Sequence, residues 1–254
     1  QQALEEAGKQ CFLDKTPRYY LVIPELFRVF PEAHYIILLR NPLAVLSSIV
    51  NTWVAGNLLN LYAYKHDLVS APHLLLDGLK HVGERGMMTC YERLVQEPEA
   101  ELRQICDTLG IDFVSEMIDY GHGKLPGWQY GDQAKVYRHT RPMAEMAETW
   151  TQAMENPQTW RLLRDYLELL GQDTIQQMGY SYSGLQDTLY AYNPCSARRW
   201  FTFSLDFLLE TAPQDRSIFM RSLMRLGGSV QRRGAKATAL EIYGRTLDAL
   251  SSSH

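Results

Sequence analysis

The sequence predicts an α/β domain, with helices packed on a parallel sheet, followed by an all-helical segment. Three observations carry that reading. His34-Tyr35-Ile36-Ile37-Leu38-Leu39 is a continuous, largely apolar run set between Pro31 and Asn41-Pro42, the pattern of a strand buried on both faces of a parallel sheet. Met87 to Cys90 is a second strand candidate reached through a helical stretch, so strand, crossover helix and strand recur in the order a parallel sheet needs. Beyond Asn193-Pro194, the best boundary in the chain, Ala197 to Ser251 reads as helix alone.

Taken in order, Gln1 to Lys9 reads as the end of an amphipathic helix with Gly8 as its stop. Cys11-Phe12-Leu13 is a short apolar run closed by Asp14-Lys15-Thr16-Pro17. Tyr20 to Phe30 reads as a helix with Leu21, Phe27 and Phe30 among its apolar positions and Pro24 in its first turn. After the strand, Asn41 is suited to cap a helix and Pro42 to be its first residue; that helix runs to about Trp53. Leu58 to His81 is a further helical stretch, and Glu99 to Leu109 an amphipathic helix stopped by Gly110. Tyr120 to Arg141 is rich in Gly, His and basic residues without apolar period, which marks a functional loop. Helical segments follow at Pro142 to Ala153, Pro157 to Leu170 and near Asp173 to Met178.

The tail holds a second signal. Leu223, Leu226, Gly227, Gly234, Ala239 and Tyr243 fall at the spacing of one tetratricopeptide-like repeat of about 34 residues, from Met220 to Ser253. Val230 and Thr246 depart from that pattern, and an unrelated helical hairpin is the other reading. One repeat is not stable alone, so it is expected to pack on other helices or to be the start of a cut array.

Composition narrows the functional classes. The 254 residues are 46% apolar and 21% charged, enough for one large core or two small ones and too little charge for disorder. Twenty-five Lys and Arg against 29 Asp and Glu leave a net charge of −4, which argues against a broad basic surface for nucleic acid but leaves room for a local anion pocket. Cys11, Cys90, Cys106 and Cys195 form no C-x-x-C pair; they read as free thiols in a reducing compartment, and a cytoplasmic location is expected. The seven His and four Cys show no metal-ligand spacing. No apolar run approaches the roughly 20 residues that span a bilayer, and Gln1 to Gly8 is not a signal peptide.

Chemistry concentrates at Arg40-Asn41-Pro42-Leu43-Ala44-Val45-Leu46-Ser47-Ser48. Arg40 stands at the carboxyl end of the predicted strand, where open α/β sheets bind ligands. A guanidinium beside a helix N-terminus grips phosphate through forked hydrogen bonds and the helix dipole. Ser48 follows Asn41 by seven residues, close to two turns, and so faces the same side. Lys15 sits in Asp14-Lys15-Thr16-Pro17-Arg18-Tyr19, Tyr91 in Tyr91-Glu92-Arg93-Leu94, and the next helix ends Cys106-Asp107-Thr108-Leu109-Gly110-Ile111.

In this order the motifs resemble those of the sulfotransferases that use 3′-phosphoadenosine 5′-phosphosulfate (PAPS). Gly131-Asp132, Trp150, Leu169-Leu170-Gly171 and Met178-Gly179-Tyr180 are similar to the ending of bacterial members, so that the resemblance covers roughly residues 10 to 182. It implies a P-loop-NTPase-like parallel sheet flanked by helices over residues 1–193, incomplete at the N-terminus, with residues 194–254 as a helical extension. It implies that Arg40 and Ser48 bind the 3′-phosphate, that Tyr91 lies by the adenine, and that Lys15 is the catalytic residue near the transferred group. Lys135, Arg138 and Arg141 are further phosphate candidates, or simply a solvated basic loop. PAPS is the implied sulfuryl donor, and the reaction class needs no metal. The acceptor, a small molecule, glycan, lipid or peptide, stays open.

Two departures bear on these expectations. The family's Gly-x-x-Arg-Ser-Gly-Thr-like 5′-phosphosulfate loop normally lies upstream of the Lys15 segment, where 14 residues remain, and nothing in the chain matches it. The chain, which opens without Met, is therefore expected to be a fragment and inactive in isolation. Pro17 stands where some relatives carry a His base; His66 and His73 are weak substitutes. A P-loop kinase would need GxxxxGK[ST], which is missing. A degenerate sulfotransferase-like domain that binds a protein partner through its helical tail is the alternative, against which Lys15, Arg40, Ser48 and Tyr91 speak.

Overall fold

The computed structural model describes residues 11–54, 58–119 and 140–192, together with Glu5, Glu6, Gly8 and Leu205. The basic loop to His139, with Lys135 and Arg138, and the tetratricopeptide-like tail lie outside the described residues.

Pro24 decides how the first helical region is cut. Lacking an N–H, proline is tolerated only in a first helical turn, so Tyr19–Leu21 forms a separate 3₁₀ turn and helix α1 covers Ile23–Val29. The expected single helix is thus two pieces, and of its apolar positions Leu21 and Phe30 are exposed, while Tyr20 and Ile23 are buried. Strand β1 (Tyr35–Leu39) follows. Asn41 then opens α2 (Pro42–Ile49), its Oδ1 accepting from the Leu43 N–H at 2.9 Å. A π-turn, Val50–Val54, carries the helical path on to the predicted end.

The predicted helical stretch to His81 is a 3₁₀ segment Leu58–Tyr64, a π-turn His66–Ser70 and helix α3 (Ala71–Val82). It leads into strand β2 (Gly86–Cys90). The two strands pair in parallel, with Leu39 opposite Cys90, and form the two-stranded sheet of the described residues. One face of β1 is packed: Ile37 and Leu39 join Tyr20, Ile23, Ala71, Leu76, Val82 and Met178 in one apolar cluster. The other face is not, and here the expectation of a strand buried on both faces is corrected. Alternation points Leu38 away from that cluster, where it is 50% exposed, because no described element covers it.

After β2 come α4 (Tyr91–Gln96) and α5 (Pro98–Leu109), the latter ended by Gly110 in the left-handed region as predicted. The region expected to be helical from Pro142 is two 3₁₀ segments, Ala144–Ala147 and Thr149–Glu155. Helix α6 (Pro157–Gln177) breaks at Gly171 and so covers both predicted segments; Asn156 caps it through the N–H groups of Gln158 and Thr159. Helix α7 (Tyr182–Ala191) is not among the sequence expectations, although Ser181 caps it by accepting from Gly184 N–H.

The larger core gathers Leu43, Leu46, Leu61, Leu68, Met154, Leu162, Leu163, Tyr166, Leu167, Ile175 and Leu189 around α6, with Leu205 buried among them. Two polar contacts fix it: the Tyr166 hydroxyl donates to the Leu68 carbonyl at 2.6 Å, and Trp160 Nε1 to the Leu189 carbonyl at 2.7 Å. Among the described residues no helix is long and apolar enough to cross a membrane.

Helix α3 reaches its neighbour through a glycine. A Cβ on Gly78 would collide with Ile23 Cδ1 and lie 3.1 Å from its Cγ2. Gly78→Val should therefore overpack the α1–α3 contact and cost about 1–3 kcal/mol. Urea unfolding reads this; an unchanged midpoint would show that the two helices are free to separate.

Candidate functional site

Parallel strands end on the same side, so the residues that leave them meet. With Leu39 opposite Cys90, the next residues are Arg40 and Tyr91, and the Arg40 guanidinium lies over the Tyr91 ring, 4.4 Å from its centroid. Such stacking contributes about 0.5–2 kcal/mol and holds the cation's plane. It does not fill the cation's hydrogen bonds. Arg40 Nε is buried and has no partner among the described residues. A buried donor left unpaired is costly, and an anion at the carboxyl end of β1 is the group that would relieve it.

Glu92 holds this corner together. Its Oε1 accepts from the backbone N–H of Asn41 at 2.9 Å, and its Oε2 from the Tyr180 hydroxyl at 2.6 Å. Tyr180 arrives from beyond α6, where Gly179 has φ +87, a conformation that glycine adopts without strain. Burial, with the Glu92 carboxylate beside it, holds the Tyr180 phenol well above the ordinary tyrosine range. Behind the corner, buried Glu101 accepts from Thr89 Oγ1 at 2.6 Å and pairs with Arg93 Nε at 3.1 Å, tying α5 to β2 and α4.

The structure thus brings Arg40 and Tyr91 together. Ser48 lies further along α2, half-buried beside buried Ser47, and no side-chain hydrogen bond joins it to Arg40 among the described residues. Lys15 is exposed on the segment ahead of the Tyr19–Leu21 turn. That segment has its own anchor. Asp67 accepts from Arg18 at 2.7 and 3.2 Å and from the Tyr20 hydroxyl at 2.6 Å; Tyr19 donates to Asp14, beside Lys15. Burial first, then the Asp67 carboxylate, pushes the Tyr20 phenol up. Lys135 and Arg138 lie outside the described residues. Arg141, the third loop candidate, is engaged by Asp119 at 2.7 Å. His66 and His73 are both exposed, and His66 Nδ1 stands 3.4 Å from Ser70 Oγ.

Glu92, Tyr180 and Asp67 are the residues that reading the sequence did not single out. Glu92 had a visible signal, an acid in the first turn of a helix that starts at a strand end. Asp67 had none.

The two partners of Asp67 should contribute unequally. Tyr20 is buried, so Asp67→Ala strands its hydroxyl and should cost about 1–3 kcal/mol. The Arg18 side chain is 58% exposed, and Arg18→Ala should cost under about 1 kcal/mol. Chemical unfolding of both variants checks this; equal losses would place the anchor in the ion pair instead.

Comparison with known proteins finds similarity over the same part of the chain. Residues 1–115, which include both strands and the Arg40–Tyr91 corner, match the sequence model described as "Sulfotransferase family". The chain is 29% identical over 211 residues to nodulation protein NoeE of Sinorhizobium fredii (strain NBRC 101917 / NGR234), covering 72% of this chain and 47% of that protein. It is 27% identical over 99 residues to protein-tyrosine sulfotransferase A of Caenorhabditis elegans, covering 37% of this chain and 26% of that protein. The chain therefore spans less than half the length of these curated relatives. No solved structure matches. The guanidinium whose Nε has no partner among the described residues, at the end of a parallel strand, thus lies inside the stretch that is similar to the sulfotransferase family.

Proposed function

We propose that this chain takes part in transferring a sulfuryl group from PAPS to a hydroxyl or amine of an acceptor, with its β1–β2 corner as the seat of the nucleotide. The observation that carries this reading is the Arg40–Tyr91 pair with Arg40 Nε buried and without a partner among the described residues. In it Arg40 and Ser48 bind the 3′-phosphate, Tyr91 lies by the adenine, and Lys135 and Arg138 add phosphate contacts. The strand pair is then part of a P-loop-NTPase-like sheet.

The chemistry asks little of the protein beyond position and charge. The acceptor atom bonds to sulfur as the bond from sulfur to the bridging oxygen breaks, leaving charge on the nucleotide's phosphate. An ammonium at that oxygen stabilises the developing charge, and exposed Lys15, on a segment anchored through Asp67, is the residue we assign to it. The acceptor is a small molecule, glycan, lipid or peptide; the name of the C. elegans relative puts a peptide tyrosine among these.

Calorimetry with two nucleotides tests the phosphate site. Adenosine 3′,5′-bisphosphate should bind more tightly than AMP, and Arg40→Ala should remove about 1.5–3 kcal/mol of that preference. Equal affinities, or an Arg40→Ala variant that binds unchanged, would end this reading. In an active form of the protein that carries a 5′-phosphosulfate loop, Lys15→Ala should act on turnover: kcat falls about a hundredfold or more while nucleotide affinity shifts far less. A loss confined to affinity would make Lys15 a binding residue only.

A further inference from the structure

We infer that Glu92 is a positioning residue, one that aligns Arg40 for an anion by gripping the chain on both sides of the site. The inference rests on the nucleotide reading of the Arg40–Tyr91 corner given above. Its ground is a three-way geometry. Glu92 follows Tyr91, whose ring lies under the Arg40 guanidinium. Its Oε1 accepts from the N–H of Asn41, the residue after Arg40. Its Oε2 accepts from the hydroxyl of Tyr180, 88 positions away in sequence.

A carboxylate with both oxygens engaged by donors from different segments fixes the peptide that carries Arg40 relative to the ring beneath it. Asn41 is itself bound, its Oδ1 capping α2 through Leu43 N–H. The Glu92 bond therefore sets both where the guanidinium starts and where the helix N-terminus points. An acid so close to an anion site would repel the ligand if its charge were free. Here hydrogen bonds of 2.9 and 2.6 Å offset that charge, and the Arg40 guanidinium lies over the ring of the adjoining Tyr91. Glu92 acts through Arg40; it does not take the anion.

Glutamine is the discriminating replacement. Glu92→Gln keeps the shape and can keep its oxygen on the Asn41 N–H, but its NH2 can only donate to the Tyr180 oxygen, so the charge is lost and the grip on Tyr180 becomes a reversed, neutral and weaker bond. Calorimetry of the 254-residue chain with adenosine 3′,5′-bisphosphate and with AMP reads the effect, in the parent and Arg40→Ala backgrounds. In the parent, Glu92→Gln should weaken the bisphosphate about tenfold and AMP much less. In the Arg40→Ala background the same change should shift the bisphosphate less than about twofold, because the residue it positions is gone. Tyr180→Phe, which removes one grip and leaves the carboxylate, should show the same pattern at smaller size and serves if Glu92→Gln does not fold. Equal losses with and without Arg40, or a retained 3′-phosphate preference in a folded variant, would overturn the inference while leaving the nucleotide reading standing. A parent chain that does not distinguish the two nucleotides would overturn that reading and this inference with it.

Discussion

The stacking of the Arg40 guanidinium on the Tyr91 ring is the contact around which the described structure is organised. It exists because β1 and β2 run parallel with Leu39 opposite Cys90, so that the first residues beyond them emerge side by side. An antiparallel pair would send those residues to opposite ends of the sheet. The ring steadies the cation without using its donors, and Nε is left buried and without a partner among the described residues. A donor in that state stores a demand for an acceptor, which is what an anion site consists of before its ligand arrives.

Much of the rest of the described structure serves to hold that corner and the Lys15 segment in place. The large core around α6 fixes Tyr166, whose hydroxyl holds the Leu68 carbonyl. Leu68 adjoins Asp67, and Asp67 in turn grips Arg18 and Tyr20 just after Lys15. On the other side, Met178 packs beneath β1 while Tyr180 reaches Glu92. The end of α6 thus braces the sheet and its outgoing corner together. Both anchors are carboxylates that accept from two donors, at least one of them a tyrosine hydroxyl, and each joins segments far apart in sequence.

What the sequence disclosed of this follows from the range over which each rule acts. Asn41 and Pro42 announce a helix start through their own side chains, and Gly110 a helix stop through its own backbone, and all three stand as read. The two strands were legible from short apolar runs, and Arg40 from its position after one of them. Burial was less legible. Leu38 and Phe30 are apolar yet exposed, because periodicity tells which residues share a face and not whether anything covers that face. The helix at Tyr182–Ala191 was missed although Ser181 is a good cap. Its apolar positions, Leu185 and Leu189, are too few for a clear stripe. Glu92 was visible only as an acid in a first helical turn; its pairing with Tyr180, and that of Asp67 with Tyr20, act across 88 and 47 positions, and a pairing over such distances leaves no trace in local pattern.

The central claim is that Arg40 Nε is the unfilled donor of a phosphate site. A crystal structure of the chain with adenosine 3′,5′-bisphosphate tests it most directly. The account predicts a 3′-phosphate oxygen within hydrogen-bond distance of Arg40 Nε, with the adenine near Tyr91 and the Glu92 bonds to Asn41 and Tyr180 intact. A nucleotide seated away from the β1–β2 corner, with Arg40 Nε still unpaired, would contradict it.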